Sequence, residues 1–388
     1  MRHLSFLTST CLGISLLCGP SVVAETAAGA PPAKAEVEAL IDQAQTWLLS
    51  KQQADGAFVP GNHFVIGITG LAAEALSRQP KGIPADDARM AKTFALLKSS
   101  QQPDGGIYNK DEGLGTYGTS ITLMAFVAAG KIDQEKEFVK KAQGYLFGLQ
   151  AKQGKNKGGI GYDQDDGPDA QDVPNTSFGA QALKASGVPS SDEHLQEAIK
   201  FLEKCQNLSS VNKAPWVNND GGCVYNPNES KAGGSFQEDP AKPADPNAKL
   251  TSTGSMTYSL LSTYLALDLK TDDPRVAAAL GYVKKNYRFD ANPGMAAGNE
   301  HQGLFYYYAF MSKTMELLKA KDLDVAEGKK ADWRADLFKA IKDQAKVVPV
   351  GDAKGAMWMN DANRWGEGMP HLATCYMLKA LKAIDASL

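Results

Sequence analysis

Leu96-Leu97-Lys98-Ser99-Ser100-Gln101-Gln102-Pro103-Asp104-Gly105-Gly106-Ile107-Tyr108 is the stretch that decides the fold. It reads as the end of an amphipathic helix, then a Gln- and Gly-rich turn that closes on an aromatic residue. The pattern occurs earlier as Leu48-Leu49-Ser50-Lys51-Gln52-Gln53-Ala54-Asp55-Gly56-Ala57-Phe58. Two further copies end in Gly158-Gly159-Ile160-Gly161-Tyr162 and in Asp220-Gly221-Gly222-Cys223-Val224-Tyr225. Self-similarity of this length means one supersecondary unit copied along the chain. A single core does not ordinarily hold 388 residues, whereas a repeat array or ring does.

The helix before each turn carries one apolar stripe. Val37, Leu40, Ile41, Ala44, Trp47 and Leu48 fall at helical spacing, as do Phe138, Ala142, Tyr145, Leu146 and Leu149. Burying each large side chain contributes roughly 1.5–3 kcal/mol, so such a stripe requires a covering helix. The helix after each turn opens with small or hydroxyl residues. Thr69-Gly70-Leu71 aligns with Thr119-Ser120-Ile121, Thr176-Ser177-Phe178, Gly254-Ser255-Met256 and Thr374-Cys375-Tyr376, with a divergent copy near Tyr308. The Ser and Thr residues read as N-caps. Six such pairs predict an all-α chain in a closed double ring, the second helices lining a central cavity.

These residues resemble the prenyltransferase and squalene-oxidase repeat of squalene–hopene cyclases and protein prenyltransferase β subunits. The resemblance runs from about Val37 to the C-terminus, its QW-type turn carrying Phe or Tyr in place of Trp. The chain is more similar still to a group of exported bacterial repeat proteins, in which Gly254-Ser255-Met256-Thr257-Tyr258, Asn292-Pro293-Gly294-Met295 and Gln302-Gly303-Leu304-Phe305-Tyr306-Tyr307-Tyr308 are expected to recur. The likeness implies an α6–α6 toroid and brings no assigned reaction.

The chemistries of that superfamily are tested residue by residue. Its cyclases protonate an olefin with an Asp of an Asp-x-Asp-Asp-Thr motif, an acid kept neutral by burial. Asp163-Gln164-Asp165-Asp166 matches four letters but sits between a glycine turn and Gly167-Pro168, which reads as a solvated loop. Aligned on the inner helix, the motif falls on Asp172-Val173-Pro174-Asn175-Thr176, where Pro174 takes the place of the acid. Calcium on Asp163, Asp165, Asp166, Asp169 and Asp172 misses EF-hand spacing, and an exposed acidic turn is the expectation. The zinc-binding Asp-x-Cys of the transferases is missing. The weak metal candidates are His371 and Cys375, four apart on one helical face, with Asp361 upstream. A thioester motif, Cys-Gly-Glu-Gln, is likewise missing. No cofactor is expected.

Arg2 and His3 precede an apolar run from Leu4 to Leu17, and Val22-Val23-Ala24 offers a cleavage site. Residues 1–24 are therefore expected to be a secretory signal, 25–36 a flexible leader and 37–388 one toroid domain, exported to the periplasm or secreted. A polar insert at about 226–249 reads as a surface loop, or as a flap over the ring mouth. Cys205, Cys223 and Cys375 lie after the signal, and in an oxidising compartment Cys205 and Cys223 are a possible pair. With 41 basic and 44 acidic residues and no basic stripe, nucleic acid is not an expected partner, and no later stretch reaches membrane-spanning length.

His63, Tyr117, Asp172, His301 and His371 fall at or just before inner-helix starts, which crowd one mouth of a toroid. Asn175 joins them. Tyr306, Tyr307 and Tyr308 cannot share one helical face, so at least one is expected in the cavity. Trp358 and Trp365 bracket the last inner-helix approach. Aromatic walls with a few polar groups make a ligand pocket. Two functions follow. One is a toroid binding a small apolar ligand, or a protein or glycan partner, in or at the mouth of its cavity. The alternative is an enzyme acting on an isoprenoid or other apolar substrate, with Asp172, Asp361 and His371 as weak catalytic candidates.

Overall fold

The structure, a computed structural model, describes residues 29–61, 64–164, 167, 170–233 and 249–388. Two kinds of helix alternate along it. The first kind comprises α1 (Lys34–Ser50), α3 (Ala88–Ser99), α5 (Lys136–Gly148), α7 (Glu193–Cys205), α9 (Pro274–Lys285) and α11 (Trp333–Asp343). The second comprises α2 (Val65–Ser77), α4 (Gly115–Ala128), α6 (Val173–Ala185), α8 (Gly254–Ala266), α10 (Leu304–Leu318) and α12 (Pro370–Ala386). Helices of the first kind bury one stripe; α3 buries Met90, Thr93, Phe94 and Leu97. Those of the second are covered nearly all round, and α8 buries every residue from Gly254 to Tyr264. Helix α2 packs on α4, α4 on α6, α6 on α8, α8 on α10, α10 on α12, and α12 returns to α2. That order of contacts is compatible with an α/α toroid.

A relay of side chains explains the repeated turns. Gln101 donates its amide to the carbonyls of Gly105 (3.0 Å) and Phe138 (3.0 Å), tying the turn to the first residues of α5. Gln150 does the same to Gly158 and His194, and Gln206 to Gly221 and Arg275, at the starts of α7 and α9. The leading glycine then takes a left-handed φ: +93° at Gly105, +92° at Gly158 and +81° at Gly221. A Cβ there would lie 2.1–2.4 Å from a backbone oxygen of the next helix of the first kind. The turn therefore requires glycine both for its backbone angle and for the close approach.

The far end of each turn is fixed by a threonine of the following helix. Thr69, Thr119, Thr176, Thr257 and Thr374 accept the N–H of Phe58, Ile107, Ile160, Cys223 and Trp358 at 2.8–3.2 Å. These threonines lie inside their helices, which corrects the reading of them as N-caps. The capping side chains are Asp172 on α6, Thr253 on α8, and Asp87, Asp192, Asp273 and Asp332 on α3, α7, α9 and α11.

Two small antiparallel ladders depart from the all-α expectation. Strand β1 (Leu323–Asp324) pairs with β2 (Lys330–Ala331), and β3 (Lys346–Val350) with β4 (Ala353–Met357). Three valines and a Gly351-Asp352 loop with Gly351 at φ +57° account for the second hairpin, which packs on α1. Helix α1 begins at Lys34, inside the stretch expected to be a leader. Of the insert, 226–233 and 249 are described; the remainder, and residues 1–28, lie outside the described residues. Cys205, Cys223 and Cys375 are buried free thiols, so the possible Cys205–Cys223 pair is not a disulfide here. Among the described residues no helix is long and apolar enough to cross a membrane.

Candidate functional site

The first turns of all six helices of the second kind converge on one cavity of about 320 Å³. Helix α2 supplies Gly67, Ile68 and Leu71, α4 Tyr117 and Ile121, α6 Pro174, and α8 Ser255 and Met256. Tyr306 comes from α10, and Leu372 and Tyr376 from α12. The approaches to these helices add Phe64, Leu114, Tyr162, Tyr225 and the run Trp365 to Glu367 with Met369. Apart from the tyrosines, Ser255 and Glu367 are the only polar side chains in the wall. Phe64 and Trp365, 42 % and 41 % exposed, stand at the mouth, both with left-handed backbone.

Below the mouth the wall is a set of touching rings. Tyr306 stacks on Phe310 at 4.3 Å and meets Tyr376 edge-on at 6.1 Å, while Tyr117 meets Phe178 edge-on at 5.3 Å. Such contacts hold each ring in one orientation and present aromatic faces to the enclosed space. The Tyr306 hydroxyl pairs with Ser259 Oγ at 3.1 Å.

Two buried carboxyls flank this wall. Asp172 caps α6, accepting the N–H of Asn175 at 2.7 Å and the Asn175 amide at 3.0 Å on each oxygen. Tyr225 donates its hydroxyl to Asp172 and lies 2.6 Å from the Tyr162 hydroxyl. Burial raises the Asp172 carboxyl above its ordinary value, and these hydrogen bonds oppose the rise. The Lys231 ammonium sits 3.7 Å from the centre of the Tyr225 ring, a cation–π contact.

Glu367 is the carboxyl that lines the cavity itself, and it is 1 % exposed. Its Oε1 accepts the Tyr306 N–H at 2.7 Å, capping α10 from outside the helix, and its Oε2 accepts the Asn360 amide at 2.7 Å. Asn360 also donates to the His301 carbonyl at 2.7 Å, so the loop holding Glu367 is locked to the approach to α10. Burial pushes the carboxyl up to about 7, and the N–H donors only partly offset it. An apolar chamber thus contains one acid that changes charge near neutrality.

The sequence candidates divide sharply. Tyr117, Tyr306 and Trp365 line the cavity. Asp172 lies one hydrogen bond behind it, and Asn175 turns to Asp172. Tyr307 donates instead to the Arg288 carbonyl at 2.8 Å, and Tyr308 to the Phe289 carbonyl. Trp358 is buried, its indole donating to the Ile341 carbonyl at 2.8 Å, which makes it a turn anchor. His301 is exposed and contributes only its carbonyl. His371 packs on Trp47, ring centres 5.3 Å apart, away from the cavity. Cys375 is fully buried and Asp361 exposed, and among the described residues no three His, Cys, Asp or Glu side chains cluster as metal ligands. His63, Asp165, Asp166 and Asp169 lie outside the described residues.

Sequence reasoning missed Glu367, Tyr162, Tyr225 and Tyr376. Tyr162 and Tyr225 had been taken as the residues that close the third and fourth turns. The threonine hydrogen bonds equate Phe58 with Ile107, Ile160 and Cys223, which places both tyrosines two residues further on and frees them to reach the cavity. For Glu367 the available signal was an acid between Gly366 and Gly368 in the approach to a helix lining the cavity.

No protein-family model matches the chain, and no curated protein matches it in sequence. Solved structures do resemble it. The type II terpene cyclase MstE of Scytonema superposes with a TM-score of 0.58 at 14 % identity, over 92 % of this chain and 99 % of the cyclase. A variant of that cyclase holds its substrate, geranylgeranyl dihydroxybenzoate. A D-mannose isomerase gives 0.58 at 13 % identity, over 92 % and 98 %. An α-1,6-mannanase of Salegentibacter gives 0.53 at 11 %, over 91 % and 100 %. At these identities the likeness establishes a fold shared with terpene cyclases and with sugar enzymes, and nothing about which chemistry this chain performs.

Proposed function

We propose that this chain is an exported double ring of six helix pairs that binds a small apolar ligand in the aromatic cavity. The carrying observation is the wall: a chamber of about 320 Å³ with Ser255 and Glu367 as its only polar side chains besides tyrosines. A sugar presents hydroxyls on every edge and needs a polar partner for most of them, since an unpaired buried group costs roughly 1–3 kcal/mol. This wall does not supply them. The volume is about twice the roughly 150 Å³ that encloses one benzene, which suits a short run of isoprenoid or other hydrocarbon. Organic extraction and mass spectrometry of the purified protein test the reading. The expected result is one apolar species near one per chain, lost from Ile121→Trp, whose larger ring fills the chamber. Wild type indistinguishable from an unrelated exported protein overturns it. Residues 1–24 are read as the export signal, and N-terminal sequencing of the exported protein is expected to begin at Glu25.

Glu367 favours a second reading, an enzyme acting on that apolar ligand. At neutral pH a large share of its carboxyl carries a proton inside a chamber of aromatic faces. In a transfer to a ligand double bond the carboxyl O–H bond breaks and a C–H bond forms. The electron pair stays on the carboxylate held by Tyr306 N–H and Asn360, and the rings of Tyr306, Tyr376 and Trp365 face the resulting cation. Incubating the protein with geranylgeraniol in D₂O is expected to give deuterium-labelled product from wild type and none from Glu367→Gln. Equal labelling by both removes Glu367 from the chemistry.

A further inference from the structure

A second, polar layer lies one helical turn beneath the aromatic cavity. Phe178 of α6 and Phe310 of α10 meet edge to face, ring centres 5.6 Å apart, and form the floor. Gln181 and Lys313 each follow their phenylalanine by three residues, so both lie on the far side of that floor on facing helices. Glu74 on α2 and Lys379 on α12 occupy the same level, three residues beyond Leu71 and Tyr376 of the cavity wall. Lys379 pairs with Glu74 at 2.7 Å, and Arg78 with Glu316 at the outer edge.

Two groups in this layer have no partner among the described residues. Lys313 makes no hydrogen bond or ion pair, although Lys379, Glu74, Arg78 and Glu316 surround it. Gln181 is 4 % exposed and spends its amide N–H groups on Thr263 (2.7 Å) and Ser262 (3.2 Å), leaving Oε1 buried and unpaired. A buried donor and acceptor left open on facing helices are costly unless something completes them. The three cations against two carboxylates leave one positive charge in excess. Arg78 and Glu316, about a quarter exposed, mark the opening on the side away from the aromatic cavity.

We propose that this layer is a binding site for a small hydroxycarboxylate, its carboxylate on Lys313 and its hydroxyl donating to Gln181 Oε1. A monocarboxylate matches the single excess charge, and a hydroxyl beside it matches the open amide oxygen. Nothing in this assignment depends on what the aromatic cavity binds. Burial, with Lys379 beside it, pushes the Lys313 ammonium down to about 8. Carboxylate affinity is therefore expected to fall roughly tenfold per pH unit above that value, as the ammonium loses its proton.

Calorimetric titration of the purified protein with glycolate, acetate and inorganic phosphate tests the site at pH 7. Glycolate is expected to bind once per chain and more tightly than acetate or phosphate. Lys313→Met is expected to raise its Kd at least tenfold. Gln181→Met, on a different helix, is expected to erase the preference for glycolate over acetate while acetate binding persists. Absence of glycolate binding, equal binding by folded Lys313→Met, or a preference for phosphate overturns the proposal.

Discussion

Glu367 sits at the junction of two demands. Its oxygens complete the start of α10 and the approach loop, while the cavity denies it water. The folded carboxyl is raised from its ordinary value to about 7, so between roughly pH 4.5 and 7 the native state holds the proton that the unfolded chain has released. Stability contributed by this group is therefore complete below that window and falls as pH rises through it, by about 3 kcal/mol in all. Urea unfolding of wild type and Glu367→Gln from pH 5 to 8 is expected to give a declining wild-type profile and a flatter one for the variant. Parallel profiles refute the assignment. Nothing in the residues beside Glu367 discloses this behaviour, because the groups that bury it come from distant parts of the chain. His371 and Cys375 show the opposite case: their spacing does put them on one helix, but His371 faces Trp47 and Cys375 the core.

The turn between paired helices is the element most completely written in the sequence. Its glutamine, glycine and threonine act within one unit or on its immediate neighbour, so local pattern is enough to find it. The roles were less legible than the positions, since a threonine reads as an N-cap until the partner N–H is seen sixteen residues upstream, as for Thr176 and Ile160. Gly105→Ala is expected to cost roughly 2–4 kcal/mol, from the left-handed φ and from a Cβ forced to 2.4 Å from the Lys141 carbonyl. Gly144→Ala, in the exposed middle of α5 with open space around it, is expected to stabilise by about 0.5–1 kcal/mol. Thr176→Val keeps the shape but strands the Ile160 N–H, a loss of about 1–3 kcal/mol. Thermal denaturation of the three variants orders them, and Gly105→Ala as mild as Gly144→Ala defeats this account of the turn.

At the scale of the molecule the question is whether the helices form a line or a circle. A line of repeats leaves its last unit in contact with one neighbour only. Here α12 packs on α10, on α1 and on α2, joining the last unit to the first. Lys382, fully buried, donates to the carbonyls of Leu76 (3.1 Å), Arg78 (2.7 Å) and Lys81 (3.3 Å), so the end of α12 completes the orphaned C-terminus of α2. Lys34 of α1 reaches Asp385 at 2.9 Å on the same seam. The cavity depends on this closure, since Leu372 and Tyr376 form the part of its wall between Tyr306 and Leu71. A chain ending at Gly368 is therefore expected to lose its cooperative urea transition altogether, because removing α12 uncovers α1, α2 and α10 together. An open array predicts something different: a cooperative transition that persists with its midpoint lowered and its slope reduced in proportion to the missing unit. A truncated chain that still unfolds in one sharp step would place the stability in neighbouring pairs and not in the ring.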